Sequence, residues 1–396
     1  MTAQSDVARP VVAIWRTSWL PHSETFIANQ TAALRRWRPV TVGVRRLPDG
    51  LPIIPDHAPF GHTFGGRVAH KISSSVGYRG VFDGWLKRQG VQLIHAHFGQ
   101  SGIKVLPIAR RTGIPLVVTF HGFDATRAAA EIGPVGERYR TQLAELFAKA
   151  DRLIAVSEFI RGRLLDLGAA ESKITVHYTG IPILRATHDL TPGVDPVTKN
   201  SIAFVGRLVP VKGVPHLFRA FAALPENLRR ATTIRVVGWG PEEAKLRRCA
   251  QELGVPVDFM GRLPPEEVGR VLETSTLFCG PSISLGAQAE AFGQVFLEAA
   301  LHGIPAVAYR TGGVAEAVED GVSGLLAPEN DVRSLSKNLE RLLTEPALAR
   351  RLGAAGAERV HNHFDIRRQT EKLELIYDEI VDRERPSRRA WGELPS

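Results

Sequence analysis

Residues 204–214 have the sequence "FVGRLVPVKGV", which joins an apolar strand to an amphipathic helix. The apolar run ends at Gly206, and the helix begins near "GVPHLFRAF". Arg207 and Lys212 stand in the connecting loop, and two cations beside a helix N-terminus favour a diphosphate, because the backbone amides and the helix dipole add to their charge. The alternative is a solvated loop that is merely basic. No "GKS" or "GKT" follows, so the loop is not a Walker loop.

The same order of strand, loop and helix recurs along the chain. In the first half, short β-branched runs alternate with amphipathic stretches at "VVAIW" (11–15), "PVTVGV" (39–44), "LIHAHF" (93–98), "PLVVTF" (115–120), "RLIAVS" (152–157) and "ITVHY" (174–178). In the second half the runs are "SIAFVG", "TIRVVG", "VDFMG", "TLFCGPS" and "PAVAYRTGG". This alternation is typical of βαβ units around a parallel sheet. The sequence therefore predicts an α/β fold with two doubly wound, Rossmann-like domains in tandem.

The domain boundaries follow from where this pattern stops. A chain of 396 residues exceeds the length at which one core stops growing. Residues 187–201, "THDLTPGVDPVTKNS", are polar with two prolines and a glycine, and this composition is typical of a linker. We predict a first domain over 1–190 and a second over 191–364. Residues 365–384 have apolar positions near helical spacing and predict a closing helix that packs back on the first domain, followed by a mobile tail at 385–396.

The positive charge belongs to the first half of the chain. Residues 1–190 contain 24 Lys and Arg against 14 Asp and Glu, whereas residues 191–396 contain 26 against 27. A basic domain favours a phosphorylated ligand, an anionic membrane surface or nucleic acid, although genomic composition can produce the same bias. A candidate for peripheral membrane contact is the group Trp15, Trp19, Trp37, Arg35, Arg36 and Arg38.

The remaining composition predicts a cytoplasmic protein. No window of about 18 uncharged apolar residues occurs, and the N-terminus lacks the regions of a signal peptide. The two cysteines, Cys249 and Cys279, have no paired metal-ligand spacing around them, so we interpret both as plain thiols.

A second stretch, "EAFGQVFLEAALHGIPAV" (290–307), places two carboxylates around a helix start. If the helix begins near Gly293, Glu290 lies in the loop before it and Glu298 in its second turn. Carboxylates in these places can accept hydrogen bonds from sugar hydroxyls while the loop amides approach the same ligand. The alternative is a purely structural role, in which Glu290 is a charged surface residue of the loop and Glu298 is an acidic residue in the first turns of the helix. The later "RTGG" (310–313) is another Gly-rich loop that suits a phosphate.

Taken together, these motifs resemble the retaining, nucleotide-sugar-dependent glycosyltransferases of family four. The run "GRLVPVKG…VVGWGP…FMGRLP…PSISLGAQAEAFGQVFLEA…GIPAVAYRTGGVAE…DGVSGLL" resembles the family over most of the second domain. In the first half "SETFIANQ", "HAHFG", "FHGFD" and "AVSEFIRGRL" resemble members that elongate polysaccharide or lipid-linked oligosaccharide chains. The resemblance implies the GT-B fold, in which two Rossmann-like domains face each other across a cleft.

The resemblance also implies roles for individual residues on the donor side. It assigns Arg207 and Lys212, beside Gly206, to the donor diphosphate, and Glu298 to the ribose. It assigns Glu290, with the amides of Phe292 and Gly293, to the donor sugar. Arg262 and Leu263 fall where the backbone meets the base. The implied donor is a UDP- or GDP-hexose.

Other residues fall on the acceptor side of the implied site. His121 matches the histidine that faces the transferred sugar, and the acceptor-side positions are Ser157, Glu158, His97 and Glu24. We expect only one of His95 and His97 to reach the ligand edge of the sheet, and we choose His97. A zinc site made from His95, His97 and His121 lacks the usual ligand spacing and is disfavoured. The implied acceptor is a glycan, a lipid-linked glycan or a small-molecule glycoside.

The family resemblance further implies retention at the anomeric carbon without a metal. Arg207 and Lys212 can stabilise the charge on the departing phosphate, and no Asp-x-Asp pair occurs in a plausible position. We therefore expect no cofactor and no metal. Retaining glycosidases suggest Glu290 as a covalent nucleophile instead, which the family role disfavours. Two departures concern the donor sugar: Ala291 replaces the glycine of "EGFG", and "LGAQAE" lacks an acid that relatives carry.

Other functions remain as alternatives. A dinucleotide-dependent oxidoreductase is disfavoured, because the first strand leads into "RTSWLPHS" and not into G-x-G-x-x-G. A nucleotide-sugar epimerase or a phosphorylase of the same fold remains open. A non-catalytic basic module that docks on a membrane also remains, whereas nucleic-acid binding is disfavoured, because residues 1–190 lack interleaved aromatic and basic spacing.

Overall fold

The computed structural model describes residues 9–48, 50–60, 64–75, 77–183 and 200–389. Internal contacts divide the chain into two compact units, Met1–Gly180 with Ile366–Ser396, and Ile181–Asp365. Each unit contains one six-stranded sheet whose paired strands are all parallel. The predicted α/β class with two parallel sheets is therefore confirmed. The linker predicted at 187–201 lies almost entirely outside the described residues.

The first unit is built around a sheet with the strand order β2-β1-β3-β4-β5-β6. Its strands are β1 Val11–Trp19, β2 Arg38–Arg46, β3 Val91–His97, β4 Leu116–Phe120, β5 Arg152–Ala155 and β6 Ile174–Val176. The helices before Gly180 are α1 Thr25–Ala33, α2 Phe64–Ser75, α3 Asp83–Arg88, α4 Gly99–Thr112, α5 Pro134–Lys149 and α6 Glu158–Asp166. Buried apolar side chains from both faces of the strands form the core, as expected for a parallel sheet covered by helices.

The second unit is built around a sheet with the strand order β12-β11-β10-β7-β8-β9. Its strands are β7 Asn200–Val205, β8 Thr232–Val237, β9 Val257–Gly261, β10 Leu277–Gly280, β11 Ala306–Tyr309 and β12 Gly324–Ala327. Its helices are α7 Val214–Ala222, α8 Glu226–Ala231, α9 Glu243–Glu252, α10 Pro265–Glu273, α11 Gln294–Leu301, α12 Val314–Ala317, α13 Val332–Thr344 and α14 Pro346–His363. The sequence pattern missed β12, because "GLLA" is short and has no β-branched residue.

The last helix, α15 Ile366–Arg389, belongs by its contacts to the first unit. The Tyr377 hydroxyl lies 2.6 Å from Nδ1 of His95 on β3. The buried Glu374 accepts hydrogen bonds at 2.7–2.9 Å from three consecutive backbone N–H groups, those of residues 35–37. The predicted tail needs a correction, since the helix continues to Arg389, five residues into 385–396. The Arg and Glu residues of "DRERPSRR" are good helix formers, which offsets part of the cost of Pro386 in the same stretch.

The aromatic group suggested for membrane contact is not on the surface. Trp15, Trp19 and Trp37 are 0%, 3% and 1% exposed. Trp37 also donates its indole N–H to Asp378 at 2.9 Å, and Trp19 donates to the carbonyl oxygen of Ile53 at 2.9 Å. These side chains are core residues, so the suggestion that the three tryptophans contact a membrane was wrong. Trp37, between Arg36 and Arg38, lies just before β2 and packs against Tyr377 of α15, a contact between distant parts of the chain that the local pattern does not show.

Candidate functional site

The sheet order of the second unit determines where a ligand can bind. The strand order reverses between β7 and β10, and ligands of open α/β sheets bind outside the carboxyl ends of the strands at such a switch point. The loop after β7 is residues 206–213, and the loop after β10 is residues 281–293. With residues 310–313 after β11, we name these the three switch-point loops. They contain Gly206, Arg207, Lys212, Glu290, Phe292 and Gly293, which are six of the residues that the sequence assigns to the donor.

The first switch-point loop is held by close backbone contacts. Gly206 donates its N–H to the carbonyl oxygen of Val237 at 3.0 Å, and Ile283 donates to Val211 at 2.9 Å. Gly213 has a φ of +62°, and a Cβ atom added there would lie 1.9 Å from the carbonyl oxygen of Pro281. Only glycine fits this position, because any side chain would collide with the neighbouring loop.

We expect Gly213→Ala to destabilise the protein by roughly 3 kcal/mol, since it combines strained backbone with a collision between two backbones. Gly254→Ala is the matched control, because Gly254 has a similar φ of +61° and no atom within 4 Å of an added Cβ. That variant should lose only about 1 kcal/mol. Urea unfolding of both proteins measures the difference. Equal losses would show that the contact with Pro281 is not tight.

The loops bring Lys212 and Glu290 together. Nζ of Lys212 lies 2.5 Å from Oε2 of Glu290, and the Ser282 hydroxyl donates to the same oxygen at 3.0 Å. Burial acts to raise the pKa of Glu290, but the charge of Lys212, these hydrogen bonds and the charge of Arg207 outweigh it, so the pKa is lowered. Glu290 is therefore an ionised carboxylate at neutral pH. Its Oε1 accepts no hydrogen bond from the residues that the structure describes.

Arg207 and Glu298 are exposed on the two adjoining elements. The Arg207 side chain forms no ion pair or hydrogen bond within the described part of the chain. Helix α11 begins at Gln294, so Glu298 lies in its second turn as the pattern predicts. The surrounding protein raises the pKa of Glu298 by partly desolvating its carboxylate, although water still reaches the side chain. Both groups can bind a ligand without breaking an ion pair of their own.

The Gly-rich loop at 310–313 packs directly against the Glu290 segment. Gly313 donates its N–H to the carbonyl oxygen of Glu290 at 2.9 Å. A Cβ atom on Gly312 would lie 2.1 Å from that oxygen, and one on Gly313 would lie 2.2 Å from the carbonyl oxygen of Ala291. At the start of α11, Gly293 has a φ of +89°, and the side chain of Phe292 before it is buried. The structure thus brings the second and third switch-point loops into backbone contact.

Arg262 and Leu263 follow β9 at the same edge of the sheet. The Arg262 guanidinium lies 5.1 Å from the ring centroid of Trp239, which is 44% exposed in the loop after β8. A planar cation on an exposed indole gives this edge a flat surface that suits a base. Trp239, within "VVGWGP", was not predicted as a site residue. Its signal in the sequence was a large aromatic residue between two glycines at a strand end.

In the first unit, His97 and His121 form a pair at the carboxyl ends of β3 and β4. Nδ1 of His97 lies 3.0 Å from Nε2 of His121. Burial is the main cause that holds both pKa values well below the usual 6.5, and the positive charge of Arg16 adds to it. Both rings are therefore neutral at pH 7 and act through hydrogen bonds. The ring of His95 lies 4.3 Å from that of His97, and its two nitrogens contact the hydroxyls of Tyr377 and Thr119. The choice of His97 as the histidine that reaches the ligand edge of the sheet stays a prediction.

Arg16 and Glu24 form an ion pair at the switch point of this first sheet, between β1 and β3. The Arg16 guanidinium donates to both carboxylate oxygens of Glu24, at 2.8 and 2.7 Å, and lies 4.4 Å from the ring centroid of Phe98. Glu24, which the sequence places on the acceptor side, is thus held by Arg16. Arg16 itself was missed, although its place directly after the apolar run "VVAIW", where the sequence predicts the strand to end, was a signal.

Asp124, within "FHGFD", is a further residue of this edge that was not predicted from the sequence. Its buried carboxylate accepts N–H hydrogen bonds at 2.9–3.2 Å from four backbone groups, those of Gly99, His121, Gly122 and Ala125. Burial raises its pKa to about 6, against the lowering effect of these bonds. The carboxylate joins the loop after β3 to the loop after β4. It therefore fixes the backbone on which His97 and His121 stand.

The other two acceptor-side candidates lie at the start of α6. The buried Ser157 caps this helix, because its hydroxyl accepts the Ile160 N–H at 3.1 Å. Glu158 is exposed and pairs with Arg161 at 3.5 Å, one turn along the helix.

The two free cysteines lie in α9 and β10, as the sequence predicts. Over the described ranges, no three His, Cys, Asp or Glu side chains are grouped to hold a metal ion.

Two family models match this chain, one in each half. The model described as "Glycosyltransferase Family 4" matches residues 23–185, and the model described as "Glycosyl transferases group 1" matches residues 192–359. No helix in the described part of the chain is long and apolar enough to cross a membrane.

The relatives of known name include two D-inositol 3-phosphate glycosyltransferases. The protein of Actinosynnema mirum is 30% identical over 400 residues, which cover 90% of this chain and 91% of that protein. The protein of Thermobifida fusca is 33% identical over 289 residues, which cover 67% of this chain and 64% of that protein, just under two thirds of its length. The crystal structure of Anabaena HepE in complex with UDP and glucose superposes with a TM-score of 0.75 at 18% identity, over 94% of this chain and all of that one, and shows a shared fold.

Proposed function

Since this chain belongs to the family 4 glycosyltransferases, we propose that it moves a hexose from a UDP- or GDP-sugar to a hydroxyl acceptor with retention of anomeric configuration. The observation that carries the proposal is the cluster at the switch point of the second sheet. There the Lys212–Glu290 pair lies between the loops, and the exposed Arg207 precedes it on the same loop.

The chemistry assigns the two cations to the leaving group. As the bond from the anomeric carbon to the diphosphate breaks, negative charge develops on the departing phosphate. Arg207 and Lys212 stabilise that charge more in the transition state than in the bound donor, which accelerates the reaction. The acceptor oxygen bonds to the anomeric carbon from the same face, and its proton passes to the departing phosphate oxygen. We propose that this step needs no metal, because the cations supply the charge.

The carboxylates are assigned to binding. Oε2 of Glu290 is used by Lys212 and Ser282, so Oε1 is the oxygen left to accept a hydrogen bond from a sugar hydroxyl. A carboxylate with a lowered pKa and a fixed ammonium neighbour is a weak nucleophile, which supports a binding role over a covalent one. Glu298 is assigned to the ribose, and Phe292, Gly293, Arg262 and Leu263 to contacts with the sugar and base. Trp239 is the platform beside that base.

The acceptor side is assigned to the first unit. We propose a glycan, a lipid-linked glycan or a small-molecule glycoside as acceptor. His121, a neutral imidazole held by His97 and by the Asp124 network, donates or accepts a hydrogen bond at a sugar hydroxyl. Ser157 and Glu158 lie at the start of α6, the next helix on this edge of the sheet. A neutral pair of histidines positions a hydroxyl by hydrogen bonds and adds no charge.

The donor assignment predicts stabilisation by nucleotides in the absence of metal. We expect UDP or GDP, at about a hundred times its dissociation constant, to raise the unfolding free energy by about 2.7 kcal/mol in the presence of EDTA. The Arg207→Ala, Lys212→Ala double variant should lose this effect. Arg230→Ala is the matched control, because Arg230 is exposed on α8 and pairs only with Glu226 within the described chain.

Thermal unfolding with a panel of nucleotides and nucleotide sugars is the measurement. If a nucleotide stabilises the double variant as much as the parent, Arg207 and Lys212 do not bind the donor. Stabilisation that requires Mg²⁺ would overturn the metal-independent mechanism. If no nucleotide or nucleotide sugar changes the unfolding temperature of either protein, the donor assignment is wrong. Product analysis with a stabilising donor then distinguishes transfer from epimerisation, since only transfer yields a new glycoside.

A further inference from the structure

Phe98, between β3 and α4, has a backbone conformation that bulky residues rarely adopt. Its φ is +71° and its ψ is 142°, a region that glycine enters freely and that strains a residue with a side chain. Its N–H donates to the carbonyl oxygen of Thr119 at 2.8 Å, and its own carbonyl oxygen accepts the N–H groups of Ser101 and Gly102 at 2.9 and 3.0 Å. These bonds on both sides of Phe98 enforce the strain and fix where its ring lies.

The Phe98 ring packs against the imidazole of His121. The two ring centroids lie 4.6 Å apart, and the ring of Phe26, at the start of α1, lies 4.7 Å from that of His121. His97 adds a third ring at 5.3 Å, and its Nδ1 holds Nε2 of His121. Nδ1 of His121 has no hydrogen-bond partner among the described residues. Three rings and one hydrogen bond thus restrict the imidazole and leave Nδ1 for a ligand.

Arg16 and Glu24 support the Phe98 ring. The Arg16 guanidinium lies 4.4 Å from the Phe98 ring centroid, a distance at which a cation is attracted to an aromatic face. Arg16 is itself fixed by both carboxylate oxygens of Glu24 and by the Ser101 hydroxyl, which accepts from its Nη1 at 3.2 Å. Glu24 is only 6% exposed. A buried carboxylate with both oxygens engaged is better suited to holding Arg16 than to binding an acceptor hydroxyl.

We propose that Phe98, Arg16 and Glu24 are positioning residues, which hold the His121 ring so that its Nδ1 faces a hydroxyl of the transferred sugar. The inference rests on the proposed function, because His121 is assigned to that sugar there. It gives the motif "SETF" (23–26) two tasks, since Glu24 fixes Arg16 and Phe26 contacts the imidazole. It also gives the strain at Phe98 a function, because strained backbone persists where it places a group that the site needs.

The first experiment measures release of nucleoside diphosphate from UDP-glucose, UDP-N-acetylglucosamine and GDP-mannose in water, with no acceptor added. We expect Phe98→Ala to lower kcat for the best of these donors by about ten- to a hundredfold, because the imidazole is no longer held in place. The donor KM should change by less than about twofold. Phe98→Tyr keeps the ring and should restore most of the rate.

Phe60→Ala is the matched control for loss of an aromatic ring. Phe60 is buried in the same unit, and its ring lies 5.5 Å from that of His70 and 6.1 Å from that of Tyr78. Its replacement should lower the melting temperature without slowing release. Nucleotide stabilisation should be the same in all these variants, because the donor residues lie in the second unit.

Phe98→Gly separates the backbone strain from the ring. Because glycine adopts a positive φ freely, this variant should melt a few degrees above Phe98→Ala and be equally slow. Stability and rate then vary independently, which a purely structural role of Phe98 does not allow. Glu24→Ala should also slow release, although no acceptor is present. A loss confined to transfer onto a glycan would return Glu24 to acceptor binding.

Histidine NMR observes the His121 ring without any activity. In protein labelled with ¹³C-histidine, the His121 signal is the one missing from His121→Gln. Burial, with His95 and Arg16 adding to it, holds the pKa of His121 well below 6.5, so the signal of the parent should not change as the pH falls from 8 to about 6. In Phe98→Ala water reaches the ring, the pKa rises towards 6.5, and the signal should shift over this range. Phe60→Ala should behave like the parent.

The outcomes distinguish this inference from the proposed function. A parent that releases no nucleoside diphosphate contradicts the proposed function, and the NMR titration then decides whether Phe98 holds the His121 ring. The inference is overturned if Phe98→Ala releases nucleoside diphosphate as fast as the parent, or if Phe60→Ala slows release equally. It is also overturned if the His121 signal of Phe98→Ala titrates like that of the parent.

Discussion

Replacing Lys212 by alanine is expected to lower kcat for sugar transfer by about a thousandfold. The ammonium group is one of two cations assigned to the departing diphosphate, and removing one preorganised donor of transition-state charge typically has an effect of this size. The loss should appear mainly in kcat, because the charge develops as the bond breaks. Lys212→Arg keeps the charge and should retain more activity than the alanine variant. Initial rates at saturating donor measure these effects, and Arg230→Ala should match the parent.

A second effect of the same substitution has to be separated from the first. Lys212 also holds the pKa of Glu290 below its usual value, so the pair contributes stability above pH about 4.5 that is lost as the pH falls through the lowered pKa. Without Lys212, burial dominates and the pKa of Glu290 rises. The Lys212→Ala, Glu290→Gln double variant removes this unpaired carboxylate. If the double variant recovers the rate, Lys212 acts only by pairing with Glu290, and its assignment to the diphosphate is wrong.

Glu374→Ala is expected to destabilise the first unit by about 3–5 kcal/mol. The buried carboxylate accepts three backbone N–H bonds from residues 35–37, where the chain passes from α1 to β2. Removing the acceptor leaves these groups without a partner inside the protein, and hydrogen bonds to a charged acceptor are the stronger kind. Glu374→Gln keeps an oxygen in place and should lose only about half as much.

Urea unfolding followed by tryptophan fluorescence measures this effect, because Trp15, Trp19, Trp37 and Trp85 lie in the first unit. Glu371→Ala is the control, since Glu371 is exposed one turn earlier on the same helix. A loss equal to that of the control would mean that water replaces the carboxylate at no cost. Loss of nucleotide binding in Glu374→Ala is not expected, because the donor residues lie in the second unit.

Local patterns predicted the fold because strands of a parallel sheet are buried on both faces. Runs such as "VVAIW" and "SIAFVG" are largely apolar and lie between helical stretches. Eleven of the twelve strands in the described residues could therefore be placed from the sequence. The missed strand, Gly324–Ala327, shows the limit. Its four residues become a strand through pairing with β11, and that pairing is a tertiary contact which the local sequence does not contain.

The site was predictable where it depends on spacing and unpredictable where it depends on pairing. The positions of Glu290 and Glu298 around the start of α11 follow from a glycine and a helical run. The ion pair between Lys212 and Glu290 joins residues 78 positions apart, and the close approach of Gly213 to Pro281 joins two loops. The strand order of the sheet determines which loops lie next to each other. Asp124 was overlooked because its partners are backbone N–H groups, which every sequence contains.

The placement of α15 has a consequence for the order in which the protein is made. The first unit needs a helix encoded after the second unit, whereas the second unit is continuous from Ile181 to Asp365. During synthesis the ribosome therefore releases the complete second unit before the first can close around Tyr377 and Glu374. Until then, part of the core beside His95 and the turn at residues 35–37 stays open. A message truncated near codon 365 would yield a finished second unit attached to a first unit without its last helix.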